Sequence, residues 1–387
     1  MECILFVDIK KLLRRYTYKI CKNILLLIVN AIQYIIQRSV PVDNEKVVYL
    51  PVNGNLKGNA YYLLNELSRV FVGKHIYICD KGFPVNDNAL FVNFGLSAIY
   101  HYSTAKYVFR ESEFNTIGLL SRKDTVYIQL WHAAGAFKKM ALDVEKRSSF
   151  IKYMRRKDIL SWDLILCSSP YIIDIYSKAF ANFDREKIFV SGLPRNDYLY
   201  DLVGKKKEIC SDYKFPTNKQ IVLYAPTFRD KATKYDDDLI SSAIEYLAEK
   251  LPEGFALGVR LHPSMMKRFN LKDNVLNLNI CCVEEAIVIS DFLITDYSSI
   301  IFDFSLLLKP MFFYTPDFYR YYDKRGFYFD YSEFVPGKIF SEVDNLLHEI
   351  VASGHNDTLM KVDAFRKRYN PFFDGNNSKR IIDRIFN

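Results

Sequence analysis

The stretch that most constrains the fold runs from Phe292 to Leu306. Four residues of strand character, Phe292 to Thr295, pass directly into Asp296-Tyr297-Ser298-Ser299 and then into an amphipathic helical pattern through Phe302 and Leu306. A strand that hands over through a polar turn to a helix is the repeating unit of an α/β protein. The junction also suits an anion, because two hydroxyls supply donors and the first amides of a helix are unpaired and carry the positive end of its dipole. The ligand expected there is a phosphate. The plainer alternative is that Ser298 only caps the helix.

Three further strand ends carry polar groups. Leu223-Tyr224-Ala225-Pro226-Thr227-Phe228-Arg229 follows a β-rich run and presents Thr227 and Arg229 two residues apart, hence on one side of an extended segment. Val259-Arg260-Leu261-His262-Pro263 presents Arg260 and His262 at the same spacing before the proline ends the strand. Arginine is a fixed-charge fork for phosphate oxygens, and histidine can bind charge or move a proton. Ile128 to Gly135 delivers Trp131-His132 into a small-residue turn, with Lys138 and Lys139 just beyond. Taken singly, each histidine also fits a hydrogen-bonded structural role.

The chain alternates strand and helix throughout. Strands are expected at Val47 to Pro51, His75 to Cys79, Ala89 to Phe94, Tyr107 to Phe109, Thr125 to Trp131, Leu164 to Cys167 and Ile188 to Ser191. After a charged, turn-rich connector from Gly204 to Lys219 they resume at Ile221 to Tyr224, Ala256 to Leu261, Val275 to Leu278, Phe292 to Thr295 and Met311 to Tyr314. The pattern predicts two Rossmann-like domains with mostly parallel sheets, and 387 residues, half of them apolar, suffice for two cores. Ligands of such sheets sit beyond the carboxyl ends of the strands, where all four motifs fall.

The seven cysteines are scattered without metal or disulfide spacing, as in a reducing compartment. A net charge of +8 suits an anionic substrate or membrane surface, and no nucleic-acid-binding signature accompanies it. Asp236-Asp237-Asp238 holds an Asp-x-Asp spacing but reads as a solvated helix start; no metal or cofactor is expected.

Residues 1–38 carry seven basic and two acidic side chains interleaved with apolar ones, and Ile24 to Ile36 is apolar except for Asn30 and Gln33. That run is shorter than the roughly 20 residues a spanning helix needs, and no small-residue cleavage site follows it. An interfacial, membrane-associating helix is expected, the alternative being a helix packed on the first domain. A second cluster from Lys146 to Lys157 holds six basic residues and no acid, suiting a polyanionic acceptor or the membrane that carries it.

Together the Trp131-His132 turn, Gly192-Leu193-Pro194-Arg195-Asn196-Asp197, Tyr-Ala-Pro-Thr-Phe-Arg, Arg-Leu-His-Pro, Thr-Asp-Tyr-Ser-Ser, Tyr314-Thr315-Pro316-Asp317, Val335-Pro336-Gly337 and Tyr369-Asn370-Pro371-Phe372-Phe373-Asp374-Gly375 resemble the CDP-glycerol glycerophosphotransferases, which prime and polymerise teichoic acids. The motifs cover roughly residues 90 to 385. One departure is visible: the family often reads Trp-His-Gly and then Pro-Leu-Lys, where this chain has Trp-His-Ala-Ala-Gly-Ala-Phe-Lys-Lys.

The resemblance implies a GT-B-like arrangement of two facing Rossmann-like domains. Its parts are an N-terminal helix over 1–38, an acceptor domain over 39–203, and a CDP-alditol-binding domain over 204–387 closed by a last helix from Ser378 to Phe386. It further implies a peripheral enzyme at the cytoplasmic face of the membrane that moves glycerol phosphate from CDP-glycerol to a lipid-linked saccharide, releasing CMP. His132 is then the expected base and His262 an alternative proton donor to the leaving phosphate. Thr227, Arg229, Arg260, Ser298, Ser299 and Lys138 are expected substrate ligands, with Asp296 orienting the Ser-Ser turn and Asp317 serving ribose or glycerol. CDP-ribitol as donor, a nucleotide-sugar glycosyltransferase or epimerase on the same plan, and a non-catalytic module that keeps the fold are the alternatives.

Overall fold

The computed structural model describes residues 24–25, 27–52, 58–79, 89–111, 120–144, 149–229, 232–352 and 354–387. The chain divides into two compact units, one formed by residues 1–132 and 153–164, the other by 133–152 and 165–387.

In the first unit, β1 (Asp43–Leu50), β2 (Lys74–Ile78), β3 (Ala89–Val92), β4 (Ala105–Arg110) and β5 (Val126–Gln129) pair in parallel in the order β3-β2-β1-β4-β5. Val48, Ile76, Val108 and Tyr127 interlock in its core. The helix Asn59–Val70 follows β1 and buries Leu63, Leu64 and Leu67, which share one face at helical spacing.

Residues 27–39 are helical. Val29 and Gln33 are buried, and Gln33 donates to Ser103 Oγ at 3.2 Å and accepts from the Leu120 amide at 3.0 Å. Ile24, Leu25, Leu27, Ile28, Tyr34 and Ile35 are exposed. This segment therefore packs on the first unit by one face and leaves an apolar face uncovered. The rest of the expected N-terminal helix, residues 1–23 and 26, lies outside the described residues, as do residues 146–148 of the second basic cluster. No helix among the described residues is long and apolar enough to cross a membrane.

In the second unit, β6 (Leu164–Cys167) and β7 (Ile188–Val190) pair in parallel. A six-stranded parallel sheet then forms from β8 (Gln220–Ala225), β9 (Phe255–Val259), β10 (Leu276–Asn277), β11 (Phe292–Thr295), β12 (Met311–Tyr314) and β13 (Lys338–Phe340), in the order β10-β9-β8-β11-β12-β13. The chain steps outward from β8 to β10, returns, and steps outward the other way from β11. Its switch point is therefore the crevice between β8 and β11, the place where open α/β sheets take ligands. β11 and β12 are buried at every residue, which explains their uninterrupted apolar sequences.

Two expectations are corrected. The connector from Gly204 to Lys219 contains the helix Lys206–Asp212, whose Ile209 and Cys210 are buried. Helices Arg195–Asp201 and Lys206–Asp212 both pack on helix Val283–Ile289. Asp236 is buried rather than solvated: it closes a capping box with Thr233 at the start of helix Lys234–Lys250 and pairs with Arg320 at 3.2 Å. The edge strand β13 was not foreseen, since Lys338–Phe340 is too short to show a period. The expected final helix is present as Asn377–Phe386, tied down by Asp197, whose two carboxylate oxygens accept from the amides of Asn377 and Ser378 at 2.8 and 2.7 Å.

Candidate functional site

The four motifs of the second unit follow adjacent strands. Thr227 and Arg229 follow β8, Arg260 and His262 follow β9, Asp296 to Ser299 follow β11, and Asp317 follows β12. Parallel pairing in register brings the ends of these strands to one edge of the sheet.

The centre of this edge is a buried ionic knot. Arg229 Nη1 lies 2.8 Å from Asp296 Oδ2, and its Nε and Nη2 donate to Asp317 Oδ2 and Oδ1 at 2.9 and 3.0 Å. Nη1 also donates to the Thr227 carbonyl at 2.6 Å. The guanidinium stacks over Tyr297 and Tyr321, 4.9 and 5.0 Å from their centroids. Burial alone would favour loss of its proton, but the Asp296 and Asp317 carboxylates hold its pKa above the ordinary arginine value. Of the five N–H groups on an arginine, four are thus engaged within the protein. Arg229 is held in the knot rather than offered to phosphate.

Asp296 orients the turn. Its Oδ1 accepts from the amides of Thr227 at 2.9 Å and Tyr297 at 2.5 Å, stitching the β8 loop to the β11 loop across the switch point. Tyr297 donates to Asp317 Oδ1 at 2.9 Å, and Tyr331 donates to the Asp296 carbonyl at 2.8 Å. The Thr227 hydroxyl is buried without a hydrogen-bond partner. Ser298 Oγ accepts from the Ile300 amide at 3.3 Å, a long capping contact, and Ser299 makes no side-chain cap bond. Both serines are partly exposed.

Arg260 is anchored by Nη1 to the Leu278 and Cys281 carbonyls, at 2.5 and 3.0 Å. His262 stacks on Phe228, 5.3 Å between centroids. Its Nδ1 lies 2.6 Å from Ser264 Oγ and accepts from the Ser264 amide at 3.3 Å, which leaves the proton on Nε2. Burial against its neighbours and then the charge of Lys138 lower its pKa, so the free protein holds it neutral at pH 7.

Lys138 reaches this neighbourhood because residues 137–140 run beside 326–328. Lys138 and Phe327 form an antiparallel bridge, the Lys139 amide donates to the Gly326 carbonyl at 3.1 Å, and the Tyr328 amide donates to the Phe137 carbonyl at 3.0 Å. The turn before it is close-packed: Gly135 has φ 76°, and a Cβ there would lie 2.3 Å from the Phe302 ring. Tyr176, fully buried, donates its hydroxyl toward the Ala133 and Gly135 carbonyls at 3.3 Å.

His132 belongs to the first unit, where it is exposed just beyond β5. Its ring lies 4.5 Å from that of the buried Trp131.

Several functional neighbours were not legible beforehand: Tyr297 and Tyr321, which flank Arg229, and the buried pair of Arg195 with Asp303, 2.8 Å apart. For Arg195 the only signal is its place in the Gly-Leu-Pro-Arg-Asn-Asp run. Among the described residues no three His, Cys, Asp or Glu side chains converge as a metal-binding group.

Parallel α/β sheets, with polar groups gathered at the carboxyl edge of the second unit's sheet, define a GT-B-like scaffold. The wall teichoic acid polymerase TagF has a similar structure, with TM-score 0.83, 28% identity and 96% of each chain covered. The chain belongs to the CDP-Glycerol:Poly(glycerophosphate) glycerophosphotransferase family, whose model matches residues 32–387. It is similar to the teichoic acid ribitol-phosphate primase of Bacillus spizizenii, 30% identical over 89% of this chain and 92% of the relative. It is also similar to the teichoic acid glycerol-phosphate primase of Bacillus subtilis, 32% identical over 76% of each. The protein is thus an enzyme of the CDP-glycerol phosphotransferase type.

Proposed function

We propose that the protein transfers glycerol phosphate from CDP-glycerol to a hydroxyl of a lipid-linked saccharide, releasing CMP, at the cytoplasmic face of the membrane during synthesis of a teichoic acid or related envelope or capsule polymer. The observation that carries the donor half is the convergence of the motifs after β8, β9, β11 and β12 on one sheet edge at its switch point.

In this reading the acceptor oxygen attacks the β-phosphorus, a P–O bond forms, and the bond from that phosphorus to the oxygen bridging the α-phosphate breaks. CMP carries that electron pair away. His132 takes the proton of the attacking hydroxyl, since an alcohol is a weak nucleophile at neutral pH. The hydroxyls of Thr227, Ser298 and Ser299, the free N–H groups of Arg260, Nε2–H of His262 and the ammonium of Lys138 stabilise charge as CMP departs. Asp296, Asp317 and Arg229 act by holding the loops that carry these donors; Asp317, buried with both oxygens engaged by Arg229 and Tyr297, does so in place of the expected contact to ribose or glycerol.

His262 is neutral before the donor arrives and becomes easier to protonate beside a pyrophosphate, because an adjacent anion favours the charged form. That sequence suits a group that first donates a hydrogen bond and then supplies a proton to the leaving phosphate. A peripheral location is supported by the uncovered apolar residues of the first helix and by the exposed Tyr153, Met154, Arg156 and Lys157 of helix Ser149–Ile159.

CDP-ribitol is the second reading, favoured by the match to a ribitol-phosphate primase across 89% of the chain. Purified protein incubated with a synthetic lipid acceptor and either CDP-glycerol or CDP-ribitol decides between them by CMP release. Turnover of CDP-ribitol alone replaces the glycerol reading, and turnover of a UDP-sugar in place of both would overturn the phosphotransferase assignment.

A further inference from the structure

The crevice between β1 and β4 is the switch point of the first unit, and the protein fills it with its own carboxylate. Glu111, one residue past β4, is buried and accepts from the amides of Asn59 at 2.8 Å and Ala60 at 3.5 Å, at the start of the twelve-residue helix Asn59–Val70. Gly58 permits this approach: it has φ 108°, and a Cβ there would lie 2.6 Å from Glu111 Oε1. The amides that would otherwise attract an anion are thereby used, and the backbone of Asn59 is fixed.

Asn59 is itself completely buried, and its Nδ2 donates to the Trp131 carbonyl at 2.8 Å. Trp131 has φ 55°, a left-handed conformation that is strained for a bulky L-residue and persists only where its surroundings impose it. Its amide is held as well, donating to Gln129 Oε1 at 3.0 Å. The peptide joining Trp131 to His132 is therefore clamped at its carbonyl by a side chain from the other side of the switch point.

We propose that Asn59, oriented by Glu111, is a positioning residue for His132: it fixes the Trp131 peptide in its left-handed turn and so sets the direction in which the imidazole projects. The claim rests on the reading of His132 as the base. Without Asn59, Trp131 would relax toward an ordinary backbone conformation and carry the imidazole with it, and a displacement of about 1 Å at a reacting group can cost a hundredfold in rate.

The test is a double-mutant cycle in steady-state kinetics with CDP-glycerol, or CDP-ribitol if that is the donor used, and a synthetic lipid acceptor. Asn59→Ala is expected to lower kcat about ten- to a hundredfold with the donor KM changed less than about twofold, and Asn59→Ser, which keeps a short donor, to recover part of the loss. Added to His132→Ala, Asn59→Ala should cost nothing further, because the group it positions is gone. Equal fold-losses from Asn59→Ala in the parent protein and in the His132→Ala variant would overturn the positioning role while leaving the base intact. Near-normal turnover by His132→Ala would instead remove the base reading. Should Asn59→Ala fail to fold, Asn59→Ser and Glu111→Gln carry the same cycle, and multiplicative losses in those would equally overturn the proposal.

Discussion

Arg229 holds Asp317 through two parallel contacts, Nε to Oδ2 at 2.9 Å and Nη2 to Oδ1 at 3.0 Å, while its remaining face meets Asp296. One cation thus fixes two carboxylates that arrive on loops after different strands. The bidentate fork is a geometry that lysine cannot reproduce.

Removing that cation should be costly. Arg229→Ala leaves two buried carboxylates facing each other and is expected to destabilise the protein by about 3–5 kcal/mol, with Arg229→Lys recovering only part. Denaturant titration of each variant measures this. A loss below about 1 kcal/mol for Arg229→Ala would show that the knot contributes little to the fold.

For turnover, His132→Ala should lower kcat by about two to four orders of magnitude with little effect on donor affinity. Ser298→Ala, Arg260→Ala and His262→Ala should each cost about 2–4 kcal/mol of transition-state stabilisation. If Ser298→Ala leaves the kinetics untouched, the 3.3 Å contact to the Ile300 amide is all that Ser298 provides.

The lowered pKa of His262, caused first by burial and then by Lys138, has a sign that can be checked. Below the ordinary histidine value the unfolded chain takes up a proton more readily than the native one, so this residue's contribution to stability falls as pH drops through that range. Donor binding should reverse the shift. Calorimetry of CDP-glycerol binding in buffers of different ionisation enthalpy should register proton uptake near neutral pH, and His262→Ala should abolish it. Lys138→Met should raise the His262 pKa part of the way back, read by NMR titration of its ring protons.

Glu284 offers a test of buried charge away from the donors. It is buried, and its Oε2 has no hydrogen-bond partner. Burial raises its pKa, Arg195 opposes that, and Asp303 adds to it. A raised carboxyl contributes most below its unfolded value, and its contribution is lost as pH rises through the folded value. Glu284→Gln should therefore stabilise the protein at neutral pH, on the order of 1 kcal/mol, and flatten the decline between those two values. Stability curves of the two proteins across pH that run parallel would contradict this.

Membrane association should depend on the exposed face of the first helix rather than on its packed face. Replacing Leu25, Leu27, Ile28 and Ile35 by glutamate should abolish binding to anionic vesicles and leave the fold intact, since none of the four is buried. High salt should weaken binding by the parent protein, because cationic side chains near a charged surface contribute about 1 kcal/mol each and are screened within about 8 Å. Deleting the whole segment would be a poorer experiment, because it also strips Gln33 from Ser103 and the Leu120 amide. Undiminished vesicle binding by the glutamate variant would move the contact to helix Ser149–Ile159.

The sequence alone determined the α/β class, the positions of most strands, and the fact that polar motifs stand at their carboxyl ends. These are local properties: an apolar run such as Phe292–Thr295 and the turn residues that stop it lie within a dozen residues of one another. The tertiary structure decided what those polar groups do. Arg229 reads as a phosphate ligand until Asp317, 88 residues away, is seen to occupy its fork. Asn59 and Glu111 carry no motif, and they act only because strand pairing brings residues 52 and 72 positions apart into hydrogen-bond reach of Asn59. A side chain's availability depends on which partners reach it through space, and sheet order and packing, not sequence spacing, select those partners.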